Sequence, residues 1–213
     1  MGPFCLERED GLPVLLDLYD PAPGPILIAG DRGSGKTALL QSLARLSNLQ
    51  DPGDIQFGVV TTFFKEWSEF ETLPNCLGVW PANHPSTQAF LSQLVSWADA
   101  LPETRQAGLL LWDGLDLLAD SDILHQQAPC WLLVNGAKRQ IWPVVTVNSA
   151  SLSRLQDWLE FFYTRILGQV KYIHNARLLL DDPLAGLSDL HPGTQFCLSQ
   201  PGSRLKFWLP SLE

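Results

Sequence analysis

The sequence predicts an α/β fold whose mostly parallel sheet is covered by helices on both faces. Apolar runs such as PILIAG and GLLLWD lack the alternation of a strand with one wet face, so both faces of these strands should be buried. Helical stretches with one apolar side separate the runs, and that order is typical of parallel sheets. The 213 residues show no linker or internal repeat, so we expect one domain over 1–213.

The elements are predicted in chain order. CLEREDGLPVLLDLY indicates an N-terminal hairpin around Asp10-Gly11, a favoured two-residue turn. The strand PILIAG comes next, and leucines at helical spacing predict a helix over 34–47. Further strands are predicted at DIQFGVVTT, CLGVWP, GLLLWD, WPVVTVN and, late in the chain, TRILGQV, QFCLS and RLKFWLP. Further helices are predicted over 85–102, about 122–138 and 152–162.

Composition narrows the function classes. No apolar run approaches the roughly 20 residues of a membrane span, and MGPFCLERED lacks a signal-peptide core, so we expect a cytoplasmic protein without membrane insertion. The net charge is −9, with 14 basic residues against 23 acidic ones. Because proteins that grip many phosphates usually carry a basic face, nucleic-acid binding is possible but disfavoured.

Dispersed cysteines, histidines and tryptophans point away from specialised sites. The four cysteines form no CxxC pair and the four histidines are equally scattered, so we expect free thiols and no metal cluster of these residues. The eight tryptophans lie outside basic stretches, which favours core or subunit contacts over base stacking.

A phosphate-binding loop is the strongest motif. GDRGSGKT matches GxxxxGK[ST] between a predicted strand and a predicted helix, the context that the mechanism requires. The loop N–H groups and the helix N-terminus should hold phosphates. Lys36 should reach the β- and γ-phosphates, and the Thr37 hydroxyl should bind Mg²⁺. The predicted nucleotide-binding residues are Gly30, Asp31, Arg32, Gly33, Ser34, Gly35, Lys36, Thr37 and Ala38.

The run LLLWDGLDLL supplies the acidic half of the site. Asp113 ends a predicted strand, where an aspartate would hold Mg²⁺ through water; the alternative is a helix-capping aspartate. Gly114 follows where many motor ATPases carry a glutamate base, whose loss costs about 10²–10⁴ in rate. Asp116 reaches inward if the strand ends early; otherwise it is a solvated acid at a helix start.

The ordered motifs resemble an FtsK/SpoIIIE-type ATPase domain of the FtsK/HerA branch, particularly those of type VII secretion motors. The similar stretches are VLLDLYDPAPGPILIAGDRGSGKTALLQSLARL, DIQFGVVTTFFKEWSEFETLPNCLGVW, IWPVVTVNSASLSRLQDWLEFFYTRILGQV, NARLLLDD and PGTQFCLS. The resemblance implies a RecA-like P-loop NTPase that binds ATP and Mg²⁺ and assembles as a homo-oligomeric ring or within a larger secretion-type ATPase assembly.

The same resemblance implies two further site residues. Asn148 matches the polar sensor at the end of a core strand. The family's trans-acting arginine is displaced within Gly136-Ala137-Lys138-Arg139, so Arg139 or Lys138 takes that role, or both belong to a solvated helix end. The candidate catalytic residues are Lys36, Asp113, Asp116, Asn148 and Arg139.

The phosphate-binding loop is intact, but the glutamate base and the trans arginine are not in their usual places. Two functions are consistent with this combination. The first is an ATP-binding, ring-forming or partner-docking domain with slow or absent hydrolysis. The alternative is an active ATPase motor that moves protein or DNA. A small-molecule kinase shares the cradle but needs an arginine-rich lid, and the sequence shows none. If the missing glutamate silences the site, Gly114→Glu should raise turnover by at least about tenfold.

Overall fold

A computed structural model of the chain describes residues 4–8, 13–100, 106–117, 123–180 and 186–209, which build one ten-stranded sheet with helices packed on it. The strands are β1 (Phe4–Arg8), β2 (Pro13–Leu16), β3 (Ile26–Gly30), β4 (Ile55–Thr61), β5 (Cys76–Pro81), β6 (Ala107–Asp113), β7 (Ile141–Asn148), β8 (Thr164–Leu167), β9 (Gln195–Gln200) and β10 (Ser203–Trp208). The α-helices are α1 (Lys36–Ser47), α2 (Phe64–Trp67), α3 (Pro85–Ala100), α4 (Ile123–Asn135), α5 (Gln156–Leu159) and α6 (Ile173–Leu179).

The strand order is β2-β1-β10-β9-β8-β3-β7-β6-β4-β5. The six strands from β8 to β5 pair in parallel. β9, β10, β1 and β2 extend the sheet beside β8 by antiparallel pairing. This arrangement confirms the predicted mostly parallel α/β sheet with an N-terminal hairpin and late C-terminal strands. The hairpin turn itself, including Asp10-Gly11, lies outside the described residues.

Alternate residues of the central strands enter two hydrophobic clusters, one on each face of the sheet. On β3, Leu27 and Ala29 join the cluster that contains residues of α3 and α4, whereas Ile26 and Ile28 join the cluster that contains residues of α1. Because both faces are covered, these strands carry apolar residues at consecutive positions. The carboxyl ends of β3, β6 and β7 therefore meet at one edge of a rigid sheet, where open α/β folds place their ligands.

Two helix predictions differ from the structure. The helix expected over 152–162 is a 3-10 helix over Ser149–Arg154 followed by the four-residue α5. The Asn148 side chain accepts the Ala150 N–H at 3.1 Å, and this local cap sets up a tight turn where an α-helix was expected. The first helix begins at Lys36 and not at residue 34, because Gly35 adopts φ +90°.

Cysteine and tryptophan placement agrees with the sequence analysis. The three described cysteine side chains, Cys76, Cys130 and Cys197, are free thiols. Most tryptophans are buried or half-buried, whereas Trp208 is 37% exposed. Among the described residues, we find no helix with the length and apolar character needed to cross a membrane.

Candidate nucleotide-binding site

The predicted phosphate loop joins β3 to α1 at the carboxyl edge of the sheet. Its turn is closed by a hydrogen bond from the Ser34 N–H to the Asp31 carbonyl at 3.1 Å. Gly33 and Gly35 have φ values of +81° and +90°, a region in which a side chain is strained. Gly33 and Gly35 are therefore required by the backbone path of the loop.

The first turn of α1 presents unsatisfied backbone donors. Gly35 is its N-cap, without a side-chain capping bond, and the first turn contains no acidic residue. An α-helix leaves its first four N–H groups without intrahelical acceptors, which here includes those of Lys36, Thr37 and Ala38. With the positive end of the helix dipole, these donors form a site for an anion such as a phosphate.

Lys36 lies over the loop. Its Nζ donates hydrogen bonds to the carbonyls of Gly30 at 3.0 Å and Asp31 at 2.9 Å. Burial lowers the pKa of the Lys36 ammonium from its ordinary value, while three nearby carboxylates oppose that shift. They belong to Asp116, Asp113 and Asp31. The ammonium is thus held at the loop by weak neutral acceptors that phosphate oxygens can replace.

Asp113, at the end of β6, is 3% exposed and accepts hydrogen bonds from three side chains. The Thr37 hydroxyl lies 3.2 Å from Oδ1 and 3.1 Å from Oδ2. The Thr146 hydroxyl donates to Oδ1 at 2.9 Å, and the Trp67 indole Nε1 donates to Oδ2 at 3.3 Å. The structure brings together the two predicted metal ligands, Thr37 and Asp113, and the sequence analysis missed Thr146 and Trp67.

Asp116 lies in the first turn of the 3-10 helix Leu115–Leu117, as the alternative expected, but its side chain is half-buried and not fully solvated. β6 ends at Asp113, and Gly114 turns the chain with φ +101°. Asp116 Oδ2 then accepts the Asn148 N–H at 3.5 Å, whereas Oδ1 is buried without a hydrogen-bond partner among the described residues. Burial raises the pKa of the Asp116 carboxyl, and hydrogen bonds and the Lys36 charge only partly oppose that effect.

Asn148 occupies the predicted place at the end of β7, opposite Gly30 in the register of the two strands. The oxygen of its side-chain amide accepts the Ala150 N–H at 3.1 Å. No hydrogen bond from its NH₂ group to another described residue is present. The donor end of Asn148 is therefore available to a ligand, while its acceptor end is committed to a cap.

The remaining loop residues divide into anchors and exposed positions. The Asp31 carboxylate accepts the Ser149 hydroxyl and the Lys171 N–H, so it ties the loop to the segments after β7 and β8. Arg32 and Ala38 are exposed. The Ser34 hydroxyl is buried without a hydrogen-bond partner in the described part of the chain, so of these two side chains Asp31 is the one that anchors the loop by hydrogen bonds.

A late segment that the sequence analysis did not assign to the site packs against the loop. The Gly193 N–H donates to the Ser34 carbonyl at 3.2 Å. A Cβ added to Gly35 would lie 2.7 Å from Gly193 Cα. The turn before β9 therefore covers one side of the phosphate loop. In the sequence, the Pro-Gly pair at 192–193 was the only signal of a turn there.

Arg139 and Lys138 lie far from this edge. Both are exposed in the 3-10 helix Ala137–Arg139, just before β7 begins. At about 3.3 Å per residue along β7, Arg139 lies roughly 25 Å from Asn148. Neither cation can reach the site of its own chain, so the trans role stays a prediction beside the alternative of a solvated helix end.

The donors at Thr37 and Asp113 suit Mg²⁺, which takes oxygen ligands and commonly binds through one or two protein groups plus phosphate oxygens. The hydroxyl and carboxylate oxygens stand within 3.2 Å of each other. Among the described residues, no group of three or more His, Cys, Asp or Glu forms a separate metal cage. The residues present thus fit a metal that arrives with a nucleotide.

Solved structures of known proteins share the fold. EccC of Thermomonospora curvata (ATPases 2 and 3, in complex with a signal sequence peptide) matches with TM-score 0.74 and 13% identity over 98% of this chain and 40% of its own. EssC of Geobacillus thermodenitrificans (ATPases 2 and 3) matches with TM-score 0.73 and 14% identity over 99% of this chain and 44% of its own. The pCW3 conjugation coupling protein TcpA with ATPγS matches with TM-score 0.67 and 14% identity over 100% of this chain and 66% of its own. This chain therefore spans less than two thirds of each.

These likenesses confirm the resemblance to FtsK/SpoIIIE-type and type VII secretion ATPase domains at the level of the fold, a RecA-like P-loop architecture. No curated protein matches the sequence. The NACHT domain family matches residues 24–174, which run from the loop before β3 into α6 and include every predicted site residue. The match covers more than half of the chain, and the chain belongs to the NACHT domain family of P-loop NTPases.

Proposed function

We propose that the chain is a Mg²⁺-dependent ATP-binding domain that hydrolyses ATP slowly and works within a ring or a partner assembly. The observation that carries the binding proposal is the uncapped N-terminus of α1 beside Lys36. Backbone donors, a cation and a hydroxyl–carboxylate pair converge there at one edge of the sheet. Each is a type of group that phosphate and Mg²⁺ require.

The residue roles follow from the contacts. On binding, the Lys36 ammonium exchanges the carbonyls of Gly30 and Asp31 for phosphate oxygens, which are stronger acceptors because they are charged. The N–H groups of the loop and first helical turn donate to the phosphates. Thr37 and Asp113 hold the metal, which neutralises phosphate charge when bound. Asn148 has an NH₂ group available to donate to the terminal phosphate.

Asp116 is the group that we assign to the hydrolytic step. A water oxygen attacks the γ-phosphorus, the bond to the bridging oxygen breaks, and the proton of the water passes to a base. Oδ1 of Asp116 is buried without a hydrogen-bond partner among the described residues, and the Asp116 and Lys36 charges interact, which supports this assignment. Arg139 lies at the opposite edge of the sheet from Asp116, so we propose slow hydrolysis until a neighbouring chain supplies an arginine in trans.

An active motor is the second candidate, and the position of Asp116 favours it over a purely binding role. A motor that moves protein fits the net charge of −9 better than one that tracks DNA. Phosphate release measured with and without duplex DNA separates these options. Strong stimulation by DNA, together with tight salt-sensitive binding, would promote a DNA translocase over the proposal.

Calorimetric titration of ATP in Mg²⁺ tests the binding proposal. Wild-type protein should bind, and Lys36→Ala should lose at least about tenfold in affinity, because a hydrogen-bonded charge contributes roughly 1.5–3 kcal/mol. Lys65→Ala is the control, since Lys65 is an exposed lysine on α2 outside the loop. Equal ATP affinity in Lys36→Ala and wild type would exclude this site.

A further inference from the structure

The geometry assigns Trp67 as a positioning residue that fixes the Asp113 carboxylate for the metal. This inference rests on the proposed function, because it concerns how the chain holds Mg²⁺ with ATP. Trp67 ends α2, in the segment that follows β4, and is 0% exposed. Its indole Nε1 donates to Asp113 Oδ2 at 3.3 Å across 46 residues of sequence.

The Asp113 carboxylate has two donors that each contact one oxygen and a third donor, Thr37, that lies between both oxygens. The Thr37 hydroxyl has one hydrogen and lies almost equally far from the two Asp113 oxygens, at 3.2 and 3.1 Å. Each oxygen also has a donor of its own, the Thr146 hydroxyl for Oδ1 and the Trp67 indole for Oδ2. These two donors set the rotation of the carboxylate, and Thr37 remains available to the metal.

The Thr146 hydroxyl is itself oriented. It accepts the Gly114 N–H at 2.8 Å, so its single hydrogen is directed to Asp113. An indole N–H can only donate, and an ionised carboxylate can only accept. The direction of both bonds is therefore fixed, as expected for outer partners that orient a metal ligand.

The α2 segment is anchored to the helix that carries Thr37. Gln41 Nε2, on α1, donates to the Glu66 carbonyl at 2.7 Å. Arg45, also on α1, pairs with Glu69 and lies 5.1 Å from the centre of the Phe70 ring. Because α1 fixes both Thr37 and the Trp67 segment, the two groups that contact Asp113 Oδ2 share one rigid frame.

Packing alone does not account for this hydrogen bond. Trp112, 3% exposed, has a buried indole nitrogen without a partner among the described residues, so the core tolerates an unsatisfied indole. Trp142 provides the matched comparison. It is 1% exposed, and its Nε1 donates to the Leu18 carbonyl at 3.0 Å, away from the site.

The test compares Trp67→Phe with Trp142→Phe by calorimetric titration of ATP in Mg²⁺ and in EDTA. Loss of an outer partner of a metal ligand typically costs 10–100-fold in metal affinity, so Trp67→Phe should weaken ATP binding in Mg²⁺ by about tenfold. Its affinity in EDTA should equal that of wild type. Trp142→Phe should keep the wild-type ratio of the two affinities, although it also loses an indole and a buried hydrogen bond.

The results either support or overturn the positioning role of Trp67. A wild-type ratio in folded Trp67→Phe overturns it and leaves ATP binding intact. Wild-type protein that binds no ATP, or binds equally in Mg²⁺ and EDTA, overturns the proposed metal site as well. If Trp67→Phe does not fold, the assigned indole N–H resonances of the wild type replace it: the Trp67 signal should shift between ATP–EDTA and ATP–Mg²⁺ while that of Trp142 stays. A stationary Trp67 signal overturns the inference.

Discussion

Replacing Asp116 with asparagine should stop hydrolysis while preserving ATP binding. The substitution keeps the shape of the side chain, and its oxygen can still accept the Asn148 N–H that now lies 3.5 Å from Oδ2. It removes the base, which is worth about 10²–10⁴ in rate. Steady-state phosphate release should therefore fall at least about a hundredfold, with little change in ATP affinity.

Although Asp116→Asn should lose turnover, it should be more stable than wild type at neutral pH. Burial raises the pKa of the Asp116 carboxyl, so the folded protein favours its protonated form more than the unfolded chain does. At neutral pH the ionised carboxylate thus lowers stability, and the neutral amide should raise Tm. This advantage should shrink as pH falls through the raised pKa, because the wild-type carboxyl then becomes protonated too.

The pH profile supplies a further check on Asp116. Only the ionised carboxylate accepts a proton, so wild-type turnover should decline at a higher pH than an aspartate of ordinary pKa, about 3.9, would give. Asp54→Asn is the control, since Asp54 is exposed and precedes the amino end of β4. Unchanged turnover in Asp116→Asn, or loss of ATP affinity equal to the loss of turnover, would refute this reasoning.

Three further predictions concern the loop, Gly114 and the distant cation. Gly33→Ala should cost about 1–2 kcal/mol in urea unfolding, the strain of a left-handed residue, and Gly35→Ala should cost more, because its Cβ also meets Gly193 Cα at 2.7 Å; equal losses would contradict the packing of that turn on the loop. Gly114→Glu should lose about 1–2 kcal/mol as well, since Gly114 has φ +101°, and, with Asp116 as the base, it should not give the gain in turnover that the sequence suggested; a tenfold gain would identify residue 114 as the missing base. Turnover per chain should rise with protein concentration as neighbouring chains supply Arg139. At high concentration, Arg139→Ala should turn over at least about tenfold more slowly than wild type. A wild-type rate that does not depend on concentration would remove Arg139 from the trans role.

Features of the fold and site that depend on a local sequence pattern were predictable. Lys36 and Thr37 follow from one contiguous motif, and Asp113 follows from the end of an apolar run. The uninterrupted apolar strands also predicted a sheet buried on both faces. Such features need no knowledge of distant contacts, because the backbone path of a strand, turn and helix places them.

Contacts between residues that are distant in the sequence could not be predicted from it. Thr146 and Trp67 meet Asp113 across 33 and 46 residues, and neither forms a motif with it. Asp116 was ambiguous because its direction depends on the φ of Gly114, which a glycine leaves free. The helix expected over 152–162 failed because a side-chain cap at Asn148 outweighed helical spacing.

The Mg²⁺ dependence of ATP affinity tests the central claim most directly. ATP should be titrated into wild type, Thr37→Ala and Thr37→Ser, each in Mg²⁺ and in EDTA. A first-sphere ligand should matter at least as much as an outer partner, so Thr37→Ala should lose about tenfold or more in Mg²⁺. In EDTA it should lose little, and Thr37→Ser, which keeps the hydroxyl, should bind like wild type in both. An equal loss for Thr37→Ala with and without Mg²⁺ would contradict a metal site at Thr37 and Asp113.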